Sequence, residues 1–358
     1  MAKATIIEFA ANPFRPLPTR APYFDPAREA WVLSRYEDVA LALREPALQQ
    51  ASDDTRMVIS NEQDSHERLY AEVKADMDRM DSAQWRKRME ETMNAALDRV
   101  GAQTDIDLVQ DLLHPWSVTL MLELAQPEPA AARDLERVAH SLFFKFPAPL
   151  EPSSPEHTSN REPRPVVDGL PESAEAELDR LLKQGHLVLS KSMFLGLTQT
   201  LPSFLAHAWL ALLLHPGQLA RLVAEPSLLP GATEELLRYA GIVQSLFRRS
   251  RTRVQLGDIT IEEGRFVHLN VAAANHDPAR FDRPNDLDLA RTPTAHLALG
   301  SGSHGCVGAI LVRMACTVLL PLIARSGLEL DETRPIAWTR DSTLKWPRSV
   351  PAKWPPVR

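Results

Sequence analysis

Apolar positions along this chain recur with two periods. In "AWVLSRYEDVALAL" (30–43) the first residues alternate, which predicts a strand, and Tyr36–Asp38 open a helix. A helical period runs from Ala83 to about Val100, and a second apolar-periodic helix covers 105–125. Helical patterning dominates again from Glu172 to His215. "PSLLPGATEELLRYAG" (226–241) predicts a helix started near Gly231 and stopped by Gly241. Between 245 and 272 the period drops to two, the mark of a hairpin or small sheet. A Pro-rich loop (277–295), a glycine-rich stretch, a helix to about Arg325 and short strands such as "GLELDE" follow. Two segments fit neither period. Residues 51–80 are densely charged, and 147–171 hold seven prolines, which rules out a continuous helix and predicts a long loop or partly disordered lid. The pattern as a whole predicts a mainly α fold with small β-sheets and no internal repeats.

Composition narrows the function classes. The 358 residues are 44% hydrophobic and 24% charged, as in an ordinary globular chain, and a net charge of −7 argues against nucleic-acid binding. No run of 18 apolar residues occurs and the N-terminus lacks a secretory core, so no membrane span and a cytoplasmic location are expected. The two cysteines, Cys306 and Cys316, exclude a disulfide framework and a multi-cysteine zinc site.

The chemistry concentrates in "HLALGSGSHGCVGA" (296–309), which contains G-x-G-x-x-G at Gly300, Gly302 and Gly305. A dinucleotide-binding reading would take "HLAL" as strand, 309–325 as helix and Asp331 as the ribose acid. The mostly helical chain lacks further alternating β-α units, and His304 and Cys306 stand where bare amides should face a pyrophosphate. A cysteine reading competes. A thiol at a helix N-terminus is expected to have a lowered pKa, and Gly300, Gly302, Gly305 and Gly308 let backbone approach a flat partner, as an axial thiolate on haem iron requires. Cys316, inside "RMACTV", reads as an inert buried cysteine.

On these residues the chain resembles the cytochrome P450 family. The bacterial thiolate signature H-L-A-F-G-x-G-x-H-x-C-x-G is met by His296, Leu297, Ala298, Gly300, Gly302, His304, Cys306 and Gly308, with Leu299 replacing Phe. Glu235 and Arg238 supply E-x-x-R, and Arg248 lies where a propionate arginine is usual. The resemblance implies a single domain over 1–358 with the cytochrome P450 fold, haem lying between the oxygen-binding helix and the Cys-loop helix. It implies haem b (iron protoporphyrin IX) ligated by Cys306 and lined by Leu299, Gly300 and Gly308. His304, Arg248, Trp85 and Arg88 (or Arg86) are its implied propionate partners. It also implies monooxygenation of a small organic substrate, secondary metabolites being one such class, with a ferredoxin or flavodoxin as electron donor. Arg86, Lys87, Arg88 and Arg313 are candidates to attract that acidic partner.

Four departures stand out. In the oxygen-binding helix Thr200 keeps the alcohol, but Gln199 replaces the acid and Pro202 is expected to kink the helix near Thr198. Trp85 and Met89 occupy the family's H-x-x-x-R positions. Asp286 stands where an arginine is usual, leaving Arg283 or Arg291 to support Glu235–Arg238. The chain between Glu123 and Gln199 is short, with 147–171 standing in for part of the distal roof. These departures keep open a peroxide-driven or non-oxidative haem-thiolate enzyme, or a non-catalytic haem protein acting with a partner.

Overall fold

The computed structural model describes residues 13–50, 71, 74, 82–101, 103, 105–125, 127–144, 191–293, 295–339 and 343–354. The expected lid at 147–171, and nearly all of the charged stretch 51–80, lie outside the described residues. In chain order come β1 (Tyr23–Asp25), β2 (Ala30–Leu33), α1 (Tyr36–Arg44), β3 (Leu48–Gln50), α2 (Ser82–Val100), β4 (Asp105–Asp107), α3 (His114–Ala125) and α4 (Pro129–Phe144). After the gap follow α5 (Lys191–Leu195), a π-helical turn (Gly196–Thr200), α6 (Leu201–Leu213), α7 (Pro216–Ala224) and α8 (Leu229–Tyr239). Then come β5 (Ser245–Ser250), β6 (Val254–Leu256), β7 (Ile259–Ile261), β8 (Phe266–Asn270) and α9 (Val271–Ala274). The last elements are α10 (Ala309–Ser326), β9 (Glu329–Leu330), β10 (Ala337–Trp338), β11 (Pro347–Ser349) and β12 (Pro351–Lys353).

Helices dominate, as the pattern predicts. One apolar core joins α2, α3, α4, α6, α8 and α10 around Trp116, Trp209, Phe194 and Leu319. A second lies under the five-stranded sheet, ordered β1-β2-β8-β5-β3, and contains Leu33, Val39, Val267, Leu269 and Phe281. The parallel pair β2–β8 joins chain segments more than two hundred residues apart, which no local periodicity could register.

The segment 105–125 is not one helix. Asp105–Asp107 pairs with Pro351–Lys353 as an edge of a second sheet, and a π-helical turn, Leu108–Leu113, precedes α3. Asp107 explains the switch. Its carboxylate accepts the N–H groups of Val109 and Gln110, capping the turn, while the Leu108 N–H is used by Val350 O at 2.9 Å. The helix expected from Gly231 starts earlier, at Leu229, because Pro230 near its N-terminus needs no N–H partner there. By length and apolarity α10 could cross a membrane, which its sequence was not expected to allow. Leu311, Met314, Cys316, Leu319, Leu320 and Ile323 are instead packed into the core.

Four histidines are enclosed. Burial pushes the pKa of His114 and His207 down to about 3, and that of His268 and His276 down to about 4. Their unfolded counterparts take up a proton near pH 6.5, so acid favours the unfolded chain between those values. The urea midpoint is expected to hold above about pH 7 and to fall steadily from about pH 6.5 to about pH 4. His207→Gln is expected to flatten that fall by up to about 1.4 kcal/mol per pH unit, measured by urea titrations across the range. An equal slope in variant and wild type would count against the burial assignment.

Candidate active site

The glycine loop ends in a thiol held at the start of α10. Cys306 donates its backbone N–H to Leu299 O at 2.7 Å, and Gly305 N–H reaches Gly302 O at 3.1 Å. Gly300 and Gly302 have φ of +72° and +74°, a region that favours glycine. A Cβ on Gly302 would sit 2.8 Å from Leu43 O. That glycine therefore serves the loop's packing on α1, in addition to any partner above the loop. Gly308 caps α10, and a Cβ there would lie 3.9 Å from Cys306 Sγ. Cys306 itself keeps an exposed surface, whereas Cys316 is buried.

The thiol's pKa is not lowered. Desolvation by the surrounding protein raises it, outweighing the Gly308 N–H and the Arg313 charge, which both pull it down. This corrects the expectation drawn from the helix terminus: desolvation by neighbouring protein outweighs the one N–H and the Arg313 charge, although part of the residue's surface remains exposed. Burial raises Cys316 more strongly, to beyond the range of ordinary titration, as suits an inert core thiol.

Arg248 is the second feature. It lies on β5, 5% exposed, and its one hydrogen bond runs from Nη1 to the neighbouring Phe247 O at 2.9 Å. No carboxylate pairs with it among the described residues. Burial lowers its pKa to about 10. An enclosed cation with most donors unused fits an anionic group that is not part of the chain, and a carboxylate such as a propionate has that chemistry. His304 closes the 3₁₀ turn Gly302–His304 and is half-buried. Trp85 is half-buried on α2, packed against the main core one turn before the buried Met89. Leu299 is half-buried against the same core.

The arginines of α2 have partners within the chain. Arg88 is exposed and pairs with Glu123 on α3 at 2.9 Å. Arg86 donates to Thr317 Oγ1 on α10 at 2.9 Å. The helix turns its Met89–Met93–Ala96–Val100 stripe inward, and Arg86 and Arg88 fall to its outer flanks. The cationic patch is also largely compensated: Lys87 lies 3.7 Å from Glu91, and Arg313 is bonded to Glu234.

The oxygen-binding helix bears its anomalies as geometry. Pro202 has no N–H to return to the preceding turn, and the chain widens into the π-turn Gly196–Thr200 rather than kinking. Leu201 N–H bonds Gly196 O across it, and Thr200 Oγ1 donates to the same oxygen at 3.0 Å. Gln199 is 5% exposed and directs Nε2 to Ala139 O on α4 and to Thr198 Oγ1, both at 3.2 Å. The opposite amide orientation would set two carbonyl oxygens against each other, so Nε2 must face Ala139. Gln199 Oε1 is then a buried acceptor without a donor.

Glu235 and Arg238 form the buried pair expected of E-x-x-R, with Arg238 Nε 2.7 Å from Glu235 Oε2 and both side chains 2% exposed. Of the two arginines considered as support, Arg291 reaches Glu235 at 3.0 Å, while Arg283 pairs with Asp282 and Asp286 at the surface. Sequence reasoning missed Asn275, whose Oδ1 accepts Leu297 N–H at 2.7 Å and anchors the start of the loop. It also missed Glu234, which binds both His296 and Arg313. Only the Glu-Glu doublet hinted at Glu234, since consecutive helical residues face about 100° apart.

The sequence profile described as Cytochrome P450 matches residues 221–326, the span from α7 to the end of α10. Cytochrome P450 107B1 of Saccharopolyspora erythraea is 29% identical over 81% of this chain and 80% of its own length. The cytochrome P450 monooxygenase PikC of Streptomyces venezuelae is 29% identical over 75% of this chain and 69% of its own. The crystal structure of CYP109B1 from Bacillus subtilis superposes with a TM-score of 0.73 at 22% identity, covering 93% of this chain and 95% of that one. The family model, the relatives and the solved structures all support reading this chain as a bacterial-type cytochrome P450. It has the P450 fold and is an oxidoreductase of the bacterial type. Haem is the group that this family carries, and the accessible Cys306 thiol and the unpaired Arg248 are donors that fit it.

Arg248→Met is expected to separate two effects in this P450. Removing a buried unpaired charge should raise the unfolding midpoint of the haem-free protein. Haem retention should weaken by about tenfold, the worth of one charge-assisted hydrogen bond, in transfer assays to a haem-accepting apoprotein. Unchanged retention would exclude Arg248 from the haem site.

Proposed function

We propose that this P450 is a haem-dependent monooxygenase that inserts one dioxygen-derived oxygen atom into a small organic substrate of the secondary-metabolite type. Its electrons come from a separate ferredoxin or flavodoxin in the cytoplasm. The observation that carries the reading is the Cys306 loop, a thiol kept accessible at the head of α10 by glycines in left-handed conformations. A single domain over 1–358 takes up haem b, with Cys306 as the iron ligand. Arg248, His304 and the Trp85 indole N–H hold the propionates, and Leu299, Gly300 and Gly308 line the porphyrin face. When bound, this group supplies dioxygen activation and redox chemistry. The relative PikC carries the name monooxygenase, which supports the class of reaction.

The chain's own contribution is placement and proton supply. Thr200 directs its hydroxyl proton at Gly196 O, which leaves the Oγ1 lone pairs facing outward as acceptors. Gln199, locked through Nε2 to Ala139, offers only Oε1. Both groups can therefore hold a water through its protons, and neither offers a free one. Protons reach the site when the Thr200 hydroxyl rotates off Gly196 O and relays one from that water. Gln199 fixes the water and does not titrate. Among the described residues Arg86 bonds neutral Thr317 and retains its charge for an acidic electron donor, with Lys87, Arg88 and Arg313 each turned to a carboxylate.

The same acceptor-only arrangement favours a second reading, a peroxide-driven enzyme, since peroxide brings its own protons. Product formed with a reductase system supports the first reading, and product formed with peroxide alone supports the second. Under the first, Gln199→Glu should raise the fraction of electrons recovered in product while leaving peroxide-supported turnover about unchanged. Cys306→Ser should abolish the red-shifted Soret band of the ferrous carbon monoxide complex, and Cys316→Ser should preserve it. The reverse pair of results would reject Cys306 as ligand.

A further inference from the structure

Behind the oxygen-binding turn three elements meet. The π-turn Gly196–Thr200 is packed on both α3 and α4. Gln199 sends Nε2 to Ala139 O on α4 at 3.2 Å, and its Oε1 is a buried acceptor without a donor. Ala139 is followed by His140, and the Ala139 carbonyl also faces the imidazole of His114. The two imidazoles meet edge to face, with ring centroids 4.9 Å apart and 62° between their planes. Gln199 and both histidines therefore converge on Ala139.

His114 opens α3 directly after the π-helical turn Leu108–Leu113 and is 0% exposed. His140 is half-buried, and Glu136, one turn earlier on α4, is exposed. Two titratable rings thus lead from near the surface of α4 to the interior beside Gln199. The π-helical turns at 108–113 and 196–200 flank them, and such turns recur at functional sites. Packing alone would be served better by apolar side chains, since an enclosed imidazole carries polar nitrogens out of water. Burial, with His140 nearby, lowers the His114 pKa to about 3, so the ring is neutral at rest. A neutral imidazole passes a proton by accepting it on one nitrogen and releasing another from the second.

We propose that His140 and His114 carry protons from solvent to a water held at Gln199 Oε1, the task left open where an amide stands in place of an acid. The proposal rests on the dioxygen-dependent reading of the site. A proton from bulk water binds His140, which yields one to His114. His114 yields one to the water, and that water supplies Thr200. Each ring ends with the protons it began with, and no electron moves. Both histidines act through the water, so they are positioning residues for the reaction.

Two readouts on the haem-loaded protein test this. In the diamagnetic ferrous carbon monoxide complex, nitrogen NMR follows exchange of the His114 ring N–H with solvent. His140→Gln should slow that exchange by about tenfold. With a reductase system, His140→Gln and His114→Gln should each lower the fraction of electrons recovered in product by about tenfold. Peroxide-supported turnover, whose oxidant brings its own protons, should be far less affected. His140→Glu, which keeps a titratable group at the entrance, should lose less than His140→Gln in both readouts. His140 is half-buried, so its variants carry the test even where His114→Gln fails to fold. Exchange or electron recovery left at the wild-type value in His140→Gln overturns the relay, as does an equal loss with reductase and with peroxide. Wild type that forms product with peroxide and none with a reductase system would instead overturn the dioxygen-dependent reading beneath it.

Discussion

All five N–H donors of one buried guanidinium are used. Arg238 gives Nε and one Nη2 proton to Glu235, both Nη1 protons to Asn275 O and Pro284 O, and its last to Asp286 O. Glu235 is completed by Arg291 and by the backbone N–H of Asp288. An ion pair removed from water is costly unless every remaining donor and acceptor is met, and here all are met. The consequence is geometric. Helix α8 is fixed to the loop after α9, and Asn275, held by its own carbonyl to Arg238, presents its side chain to Leu297 N–H. The Cys306 loop therefore hangs from the same network that closes the fold.

Arg248 shows what that satisfaction is worth by lacking it. Both arginines are enclosed to a similar degree, yet Arg238 has two carboxylate oxygens and three carbonyls, and Arg248 has one carbonyl. An enclosed cation so incompletely bonded fits a site that an anionic group completes. The hydrogen-bond partners, and not burial, separate the two arginines.

The segment around Gly196–Thr200 shows how local chemistry reshapes a helix. Pro202 has no N–H to return to the preceding turn, Gly196 O is used by the Leu201 N–H and the Thr200 hydroxyl, and the widened turn carries Thr200 and Gln199. Gln199 is then anchored sideways to α4, so an amide occupies the place of an acid without leaving its nitrogen unsatisfied.

Much of this was legible in residue order. Helical periods marked α1, α2, α8 and α10, and the glycines around Cys306 marked a loop of close approach, because these are local properties of backbone and side-chain spacing. The break of 105–125 into strand and π-turn was not legible, since Asp107 acts there only with β12 from the far end of the chain. Arg88 looked like a ligand because it lies one residue from Met89, but helix rotation carries it outward to Glu123. Cys306 looked acidified by its helix, and desolvation by neighbouring protein reversed the sign. By itself the sequence determined which residues can do chemistry here, since thiol, guanidinium, amide and left-handed glycine are fixed by covalent structure. Only the tertiary structure decided which of them are spent on one another, because pairing and desolvation depend on neighbours brought together from distant segments.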